Sequence, residues 1–371
     1  MKKIIIGIIV LAVVVWGGVK LFGTKEEKIS EPIKIGVILP LSVKAANLGE
    51  NAKQAIDLAM IEINKTTPKI EVIYGDDRCD PKEAVSVYQL FKQQNVKFII
   101  GPICSPDTLA VAPLAERDGV VLITTGSAAE TISQAGDFIF RNHITMSQKT
   151  GKLAQVAALK FNSVATIYDQ ANDAYLAGNN IVVDEFNKQS KVVAVTEGFG
   201  KDATDFRTQL TKIKIKQPEA IYIGALMPQA AIIVNQMKEL GISSQIISED
   251  GFVVDNKFLE AVGKSSEGII FATTDFNREN TNQIFWDLYA QQFGRNPDIF
   301  AAQSYDTAMI LVKIIRENCN SGNSVCVKNS LYKIQDYPGV SGKTSFDQNG
   351  DVKKSVVLKT IKNGQFVKYE E

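Results

Sequence analysis

YGDDRCDPKEAV, residues 74–85, followed by GPICSPDT, residues 101–108, decides how this chain is read. Cys79 and Cys104 each sit just past an apolar run that reads as a β-strand, KIEVIYG (69–75) and VKFIIG (96–101). Each is followed within two residues by a proline, Pro81 and Pro106, which suits the first turn of a helix because the N–H it lacks is not needed there. Strand, turn and helix, twice over, place two βα turns side by side at one edge of a sheet. Open α/β folds bind ligands at that edge.

The same rhythm extends in both directions. IKIGVIL (33–39) is a short β-rich run, and 49–64 carries apolar residues at Ala55, Ile56, Leu58, Ala59 and Ile63, which is helical spacing. Helices are predicted over 81–94 and 105–119, and a strand over 120–125. The pattern restarts after His143, with helix 150–160, strand 163–169, helix 175–189, strand 191–198, helix 205–215, strand 219–224, helix 228–241 and strands 244–250 and 268–274. Such alternation implies βαβ units and mostly parallel sheets. Two helices (279–294 and 300–317) and a hairpin turning at Asn363-Gly364 close the chain. The fold class is therefore α/β, with two doubly wound, Rossmann-like lobes.

Length and composition agree. A chain of 371 residues, 45% hydrophobic, is long enough for two such lobes. With 41 basic and 41 acidic residues it carries no electrostatic footprint for nucleic acid. At the N-terminus two lysines precede an uncharged run from Ile4 to Val19. Residues 1–22 read as a signal anchor or a signal peptide, and 23–32 as a polar tether. Val15-Trp16-Gly17 is a poor cleavage site, so an uncleaved anchor is expected, extended to Leu21 and Phe22 if Lys20 snorkels. Either version exports the rest of the chain, to the periplasm or the cell surface. Export favours disulfides among Cys79, Cys104, Cys319 and Cys326, and four cysteines allow three pairings. Reduced cysteines or a zinc site are the alternatives. No pair has zinc-ligand spacing, and the single histidine is His143.

The Cys-Asp-Pro-Lys-x-Ala-Val run at 79–85 and the Cys-Ser at 104–105 resemble those of the type I periplasmic substrate-binding proteins for leucine, isoleucine and valine, which feed ABC importers. The resemblance runs from about Ile33 to the C-terminus. It implies three crossovers between lobes, near 143–147, 272–276 and 334–339. Lobe I would comprise 33–145 plus 275–335, and lobe II 146–274 plus 336–371. Spacing and resemblance together favour the pairs Cys79–Cys104 and Cys319–Cys326. The implied partners are a small ligand, an amino acid or a related compound, and a membrane permease. A ligand-sensing receptor that reports to a partner without transport is the rival reading of the same fold.

The resemblance also names candidate site residues. Ser105-Pro106 reads as an N-cap and first-turn pair. The resemblance gives Ser105 a ligand carboxylate to bind, with the helix N-terminus behind it. In TTGSAAET (124–131) it points to Gly126, Ser127 and Ala128, where Ser127 offers a hydroxyl one residue early and Ala128 offers none. In SEDG (248–251) it assigns a ligand ammonium to Asp250, with Glu249 as the neighbour that could replace it. Three family aromatics are missing. Leu48 and Leu226 stand for two of them, and Asp173-Ala174 for the third, with Tyr175 displaced nearby. Asp173 could meet a polar or basic end of the cargo. DQNGD (347–351) imitates a calcium loop but lacks its later ligands, so it reads as a turn. Ser304-Tyr305-Asp306 reads as structural. No cofactor or nucleotide motif is present, and no catalytic set, so an enzyme is not expected.

Overall fold

The computed structural model describes residues 32–43, 45–67, 69–254, 256–279, 282–319 and 323–370. The expected anchor and most of the tether lie outside these residues. Among the described residues no helix is long and apolar enough to cross a membrane.

The first sheet has five parallel strands in the order β2-β1-β3-β4-β5: β1 (Ile33–Leu39), β2 (Ile70–Asp76), β3 (Phe98–Ile100), β4 (Val121–Thr124) and β5 (Ile139–Arg141). Helices α1 (Ala46–Ile63), α2 (Pro81–Gln93) and α3 (Ser105–Asp118) connect its strands. β1 is buried at six of its seven positions because helices cover both faces, which is why it reads as a run rather than an alternation.

The second sheet begins after α4 (Met146–Lys160). It holds β6 (Ser163–Asp169), β7 (Val192–Phe199), β8 (Ala220–Gly224), β9 (Gln245–Glu249) and β10 (Ile270–Thr274), joined by α5 (Asp173–Lys188), α6 (Arg207–Lys216), α7 (Gln229–Glu239) and the short α8 (Asp250–Val253) and α9 (Asn256–Val262). The chain then returns to the first lobe with α10 (Gln283–Phe293), α11 (Ile299–Glu317) and α12 (Ser324–Leu331). A two-stranded piece follows, β11 (Tyr337–Gly339) and β12 (Gly342–Thr344), and then β13 (Val356–Lys362) and β14 (Gln365–Lys368), which add antiparallel to the edge of the second sheet. Its order is β14-β13-β10-β9-β8-β6-β7. The β13–β14 turn has positive φ at both Asn363 and Gly364, as an Asn-Gly hairpin requires.

Both expected disulfides are formed, Cys79–Cys104 and Cys319–Cys326, each with a Cα–Cα distance of 5.7 Å. The third crossover corrects the sequence reading. Residues 336–352 stay with the first lobe, and Val340, Phe346 and Val352 are part of its core. Asp306 of α11 accepts the N–H groups of Val340 (2.7 Å) and Ser341 (2.8 Å). The DQNGD turn docks on β5, where Gly350 accepts the Arg141 N–H at 2.8 Å. Asp351 takes two guanidinium donors from the fully buried Arg141, at 2.7 and 2.9 Å. The crossing therefore falls just before β13, near 353–356. Lobe I keeps residues that the sequence reading had given to lobe II.

Candidate functional site

In each sheet the strand order reverses direction at one point, beside β1 and β3 in the first and beside β6 and β8 in the second. Loops leaving the strands there splay apart and leave a crevice. The two crevices face one another across a small cavity of about 40 Å³. Lobe I contributes Leu48, Ile103, Ser105, Gly126, Ala128 and Phe300; lobe II contributes Lys149, Asn172, Tyr175, Leu226, Glu249 and Gly251.

Ser105 opens α3, and its hydroxyl reaches across to the next loop instead of capping its own helix. It accepts the N–H groups of Ala128 (3.1 Å) and Ala129 (3.2 Å). Both lone pairs are thereby used and the hydroxyl proton remains to be given. It stands at a helix N-terminus, where the unpaired N–H groups and the dipole favour negative charge. This corner of the cavity is a donor pole.

Ser127 departs from the expectation. Its hydroxyl lies 2.7 Å from that of Thr108 and donates to the Ile103 carbonyl at 2.9 Å, so it braces the loop from behind. Asp173 departs too. It is exposed at the first turn of α5, outside the cavity lining. Its predecessor Asn172 caps that helix, accepting the Ala174 N–H at 3.0 Å, and it is Asn172, Ala174 and Tyr175 that face inward.

Three charged residues stand at or behind the opposite wall. Asp250, the carboxylate expected to meet a ligand ammonium, is already engaged: Oδ1 is 2.7 Å from Lys149 Nζ, and Oδ2 accepts the Thr273 hydroxyl at 3.0 Å. It is fully buried and does not line the cavity. Burial alone would raise its pKa, but Lys149 and these hydrogen bonds outweigh burial and hold it below the usual carboxylate value. Glu249 faces the cavity instead. Its Oε1 accepts the hydroxyls of Thr150 (2.6 Å) and Tyr222 (2.9 Å), while Oε2, equally buried, has no partner among the described residues. Burial raises the Glu249 pKa, opposed by Lys149, Thr150 and Tyr222. Two glycines make room for this arrangement. A Cβ on Gly178 would stand 2.2 Å from the Tyr222 hydroxyl, and one on Gly251 would stand 2.5 Å from that of Tyr175.

His143 completes the floor. Its Nε2 lies 3.2 Å from Lys149 Nζ, which can only donate, so Nε2 accepts; the ring proton is on Nδ1 and is donated to Gln303 Oε1 at 2.8 Å. Burial, with Lys149 beside it, pulls its pKa down to about 3, so the ring is neutral at any ordinary pH.

The sequence reading omitted Lys149, and a signal for it existed. The buried stripe of α4 runs Met146, Lys149, Thr150, Leu153, Ala154, Ala157. A lysine on the apolar face of a helix needs a buried counter-ion. The rest of the wall, Leu48, Ile103, Met146, Leu226 and Phe300, is apolar.

The profile of the periplasmic binding protein family matches residues 32–365. A leucine-, isoleucine-, valine-, threonine- and alanine-binding protein of Pseudomonas aeruginosa is 25% identical over 334 residues, 87% of this chain and 88% of that protein. Among solved structures, a leucine binding protein LivK from Thermotoga maritima superposes with a TM-score of 0.85 at 27% identity, covering 91% of this chain and 98% of that one. A branched-chain amino acid transporter substrate binding protein LivJ from Streptococcus pneumoniae, in complex with isoleucine, gives 0.81 at 27% identity, with the same coverage.

Proposed function

This chain belongs to the periplasmic binding protein family, and from that premise we propose that its cavity holds a small aliphatic amino acid as the zwitterion. It is an extracytoplasmic solute-binding protein of the type I α/β fold, not an enzyme, and serves an ABC importer. The observation that carries the ligand class is the unpartnered, buried Oε2 of Glu249, a residue that lines the same mostly apolar cavity as Ser105. With Lys149 cancelling Asp250, the acidic wall keeps one net negative charge when Glu249 is ionised. A ligand ammonium neutralises it, and the ligand carboxylate meets the Ser105 hydroxyl and the α3 N-terminus. A cavity of about 40 Å³ exceeds by severalfold the roughly 10–15 Å³ that one water needs, so the cargo has few heavy atoms. The two poles belong to different lobes, so the bound ligand stabilises the closed form that the permease reads.

Differential scanning of the full chain with alanine, valine, leucine, propionate and alaninamide tests this. At 100 Kd a ligand adds about 2.7 kcal/mol of stability. We expect at least one of the three amino acids to raise the melting temperature, and propionate and alaninamide, each lacking one pole, to leave it unchanged. A response to propionate equal to that of alanine would refute the ammonium site.

The N-terminal run Ile4–Val19 is proposed to tether the protein to the outer face of the membrane, holding a binding domain close to its permease. The full-length chain should then sediment with membranes and resist extraction with alkaline carbonate. Release into the soluble fraction with a new N-terminus near residue 18 would show a cleaved signal peptide instead.

A further inference from the structure

A second cavity, of about 450 Å³, shares no lining residue with the first. It is about ten times larger, and its volume lies within the roughly 300–1,000 Å³ usual for small-molecule sites. Both lobes supply its walls. Phe276 and Trp286 come from lobe I, with ring centroids 5.2 Å apart. Phe271 and Phe366 come from lobe II, 5.6 Å apart. Two aromatic pairs offer faces and edges to a further ring. The charged lining is unequal: Lys257, Arg278, Arg295 and Lys359 against one acid, Asp298. Asp298 is engaged, accepting from Asn51 Nδ2 and from the Ala301 N–H at 2.7 Å. Acids outside the lining hold both arginines, Asp287 2.7 Å from Arg278 and Glu50 3.4 Å from Arg295. Lys359 differs. It is half-buried on β13, directly opposite Phe271 of β10, and so on the same face of the sheet. Its ammonium gives one of three protons to the Phe276 carbonyl at 2.7 Å. The acids acting on it are Asp275 and Asp250, and Asp250 is already committed to Lys149. Asn51 is 8% exposed, and its Oδ1 has no partner among the described residues. A buried acceptor left so is unfavourable until a donor meets it.

We propose that this cavity is a second binding site, for a hydroxylated aromatic carboxylate. The ring packs against the aromatic pairs, the carboxylate meets Lys359, and the hydroxyl donates to Asn51 Oδ1. A cavity of about 150 Å³ admits one benzene ring, so this one has room for a ring and both polar ends. Because both lobes line it, an occupant holds them in this arrangement. Thr273 also lines it, and donates its hydroxyl at 3.0 Å to Asp250, the partner of Lys149 in the first cavity. The site is independent of which ligand the first cavity takes.

The chain has two tryptophans, Trp16 and Trp286. In the full chain carrying Trp16→Phe, tryptophan emission therefore reports on the cavity wall. Titration with para-hydroxyphenylpropionate should change that emission saturably. Its neutral amide, which lacks the charge, and phenylpropionate, which lacks the hydroxyl, should each bind at least about tenfold more weakly. Lys359→Met should weaken the hydroxylated acid by a similar factor and leave the affinity of the amide unchanged. Glu249→Gln should alter neither. No saturable change, or equal affinity for the hydroxylated acid and either control, would overturn the proposal. Loss of binding in Glu249→Gln with none in Lys359→Met would place the probe in the first cavity and overturn it too. Should Lys359→Met not fold, the comparison of the acid with its two controls decides.

Discussion

Glu249→Gln is expected to lower affinity for the zwitterionic ligand by about 30-fold to several-thousand-fold, the 2–5 kcal/mol range for removing one partner of a desolvated charge pair. The amide keeps an oxygen for Thr150 and Tyr222, so the loss isolates the charge from the shape. Calorimetry with the best amino acid from the scanning panel measures it, and unchanged affinity would return the ammonium site to another group. The native protein should also bind more weakly as pH falls. Burial raises the Glu249 pKa, so the carboxylate is neutralised at a higher pH than an exposed glutamate and then has no charge to offer the ligand. His143 adds nothing to that slope, being neutral throughout.

Lys149→Met should act on the fold. It leaves Asp250 buried, ionised and short of its main partner, which costs about 3–5 kcal/mol, against about 0–1 kcal/mol for an exposed bridge such as Lys53–Asp57. The urea midpoint of the ligand-free protein reports the difference. Pairing Lys149→Met with Asp250→Leu should recover most of the loss, because an apolar pair of similar volume carries no desolvation cost. If the single change is as mild as Lys53→Met, the ion pair is not structural and Asp250 regains its claim to the ligand.

These two residues also show where sequence reading stops. The βα rhythm and the turn that carries Ser105 were legible because they rest on local spacing, apolar runs and prolines at helix starts, while the disulfide pairing needed the family resemblance as well as spacing. Glu249 and Asp250 are adjacent, and at the end of β9 neighbours point in opposite directions. A likeness that shifts by one residue therefore exchanges the ligand face for the core. Ser127 and Asp173 lie outside the cavity lining for the same reason, since a loop position fixes where a residue is but not which way it faces. The last crossover was hidden because Arg141 and Asp351, whose pairing holds residues 345–352 on the first lobe, lie 210 residues apart. Of the four described strands of three residues, β3 was legible from its apolar run, whereas β5, β11 and β12 are too short to show any period.

The idle oxygen of Glu249 has a meaning for the empty protein as well. That oxygen is buried with no partner among the described residues, and an ionised group left so costs several kcal/mol. On the proposed reading an unloaded molecule that shuts would meet that cost, whereas a loaded one would be relieved of it by its cargo. The carboxylate would thus disfavour closure without cargo, and a transporter that answers only to the closed shape would be spared idle cycles of its ATPase.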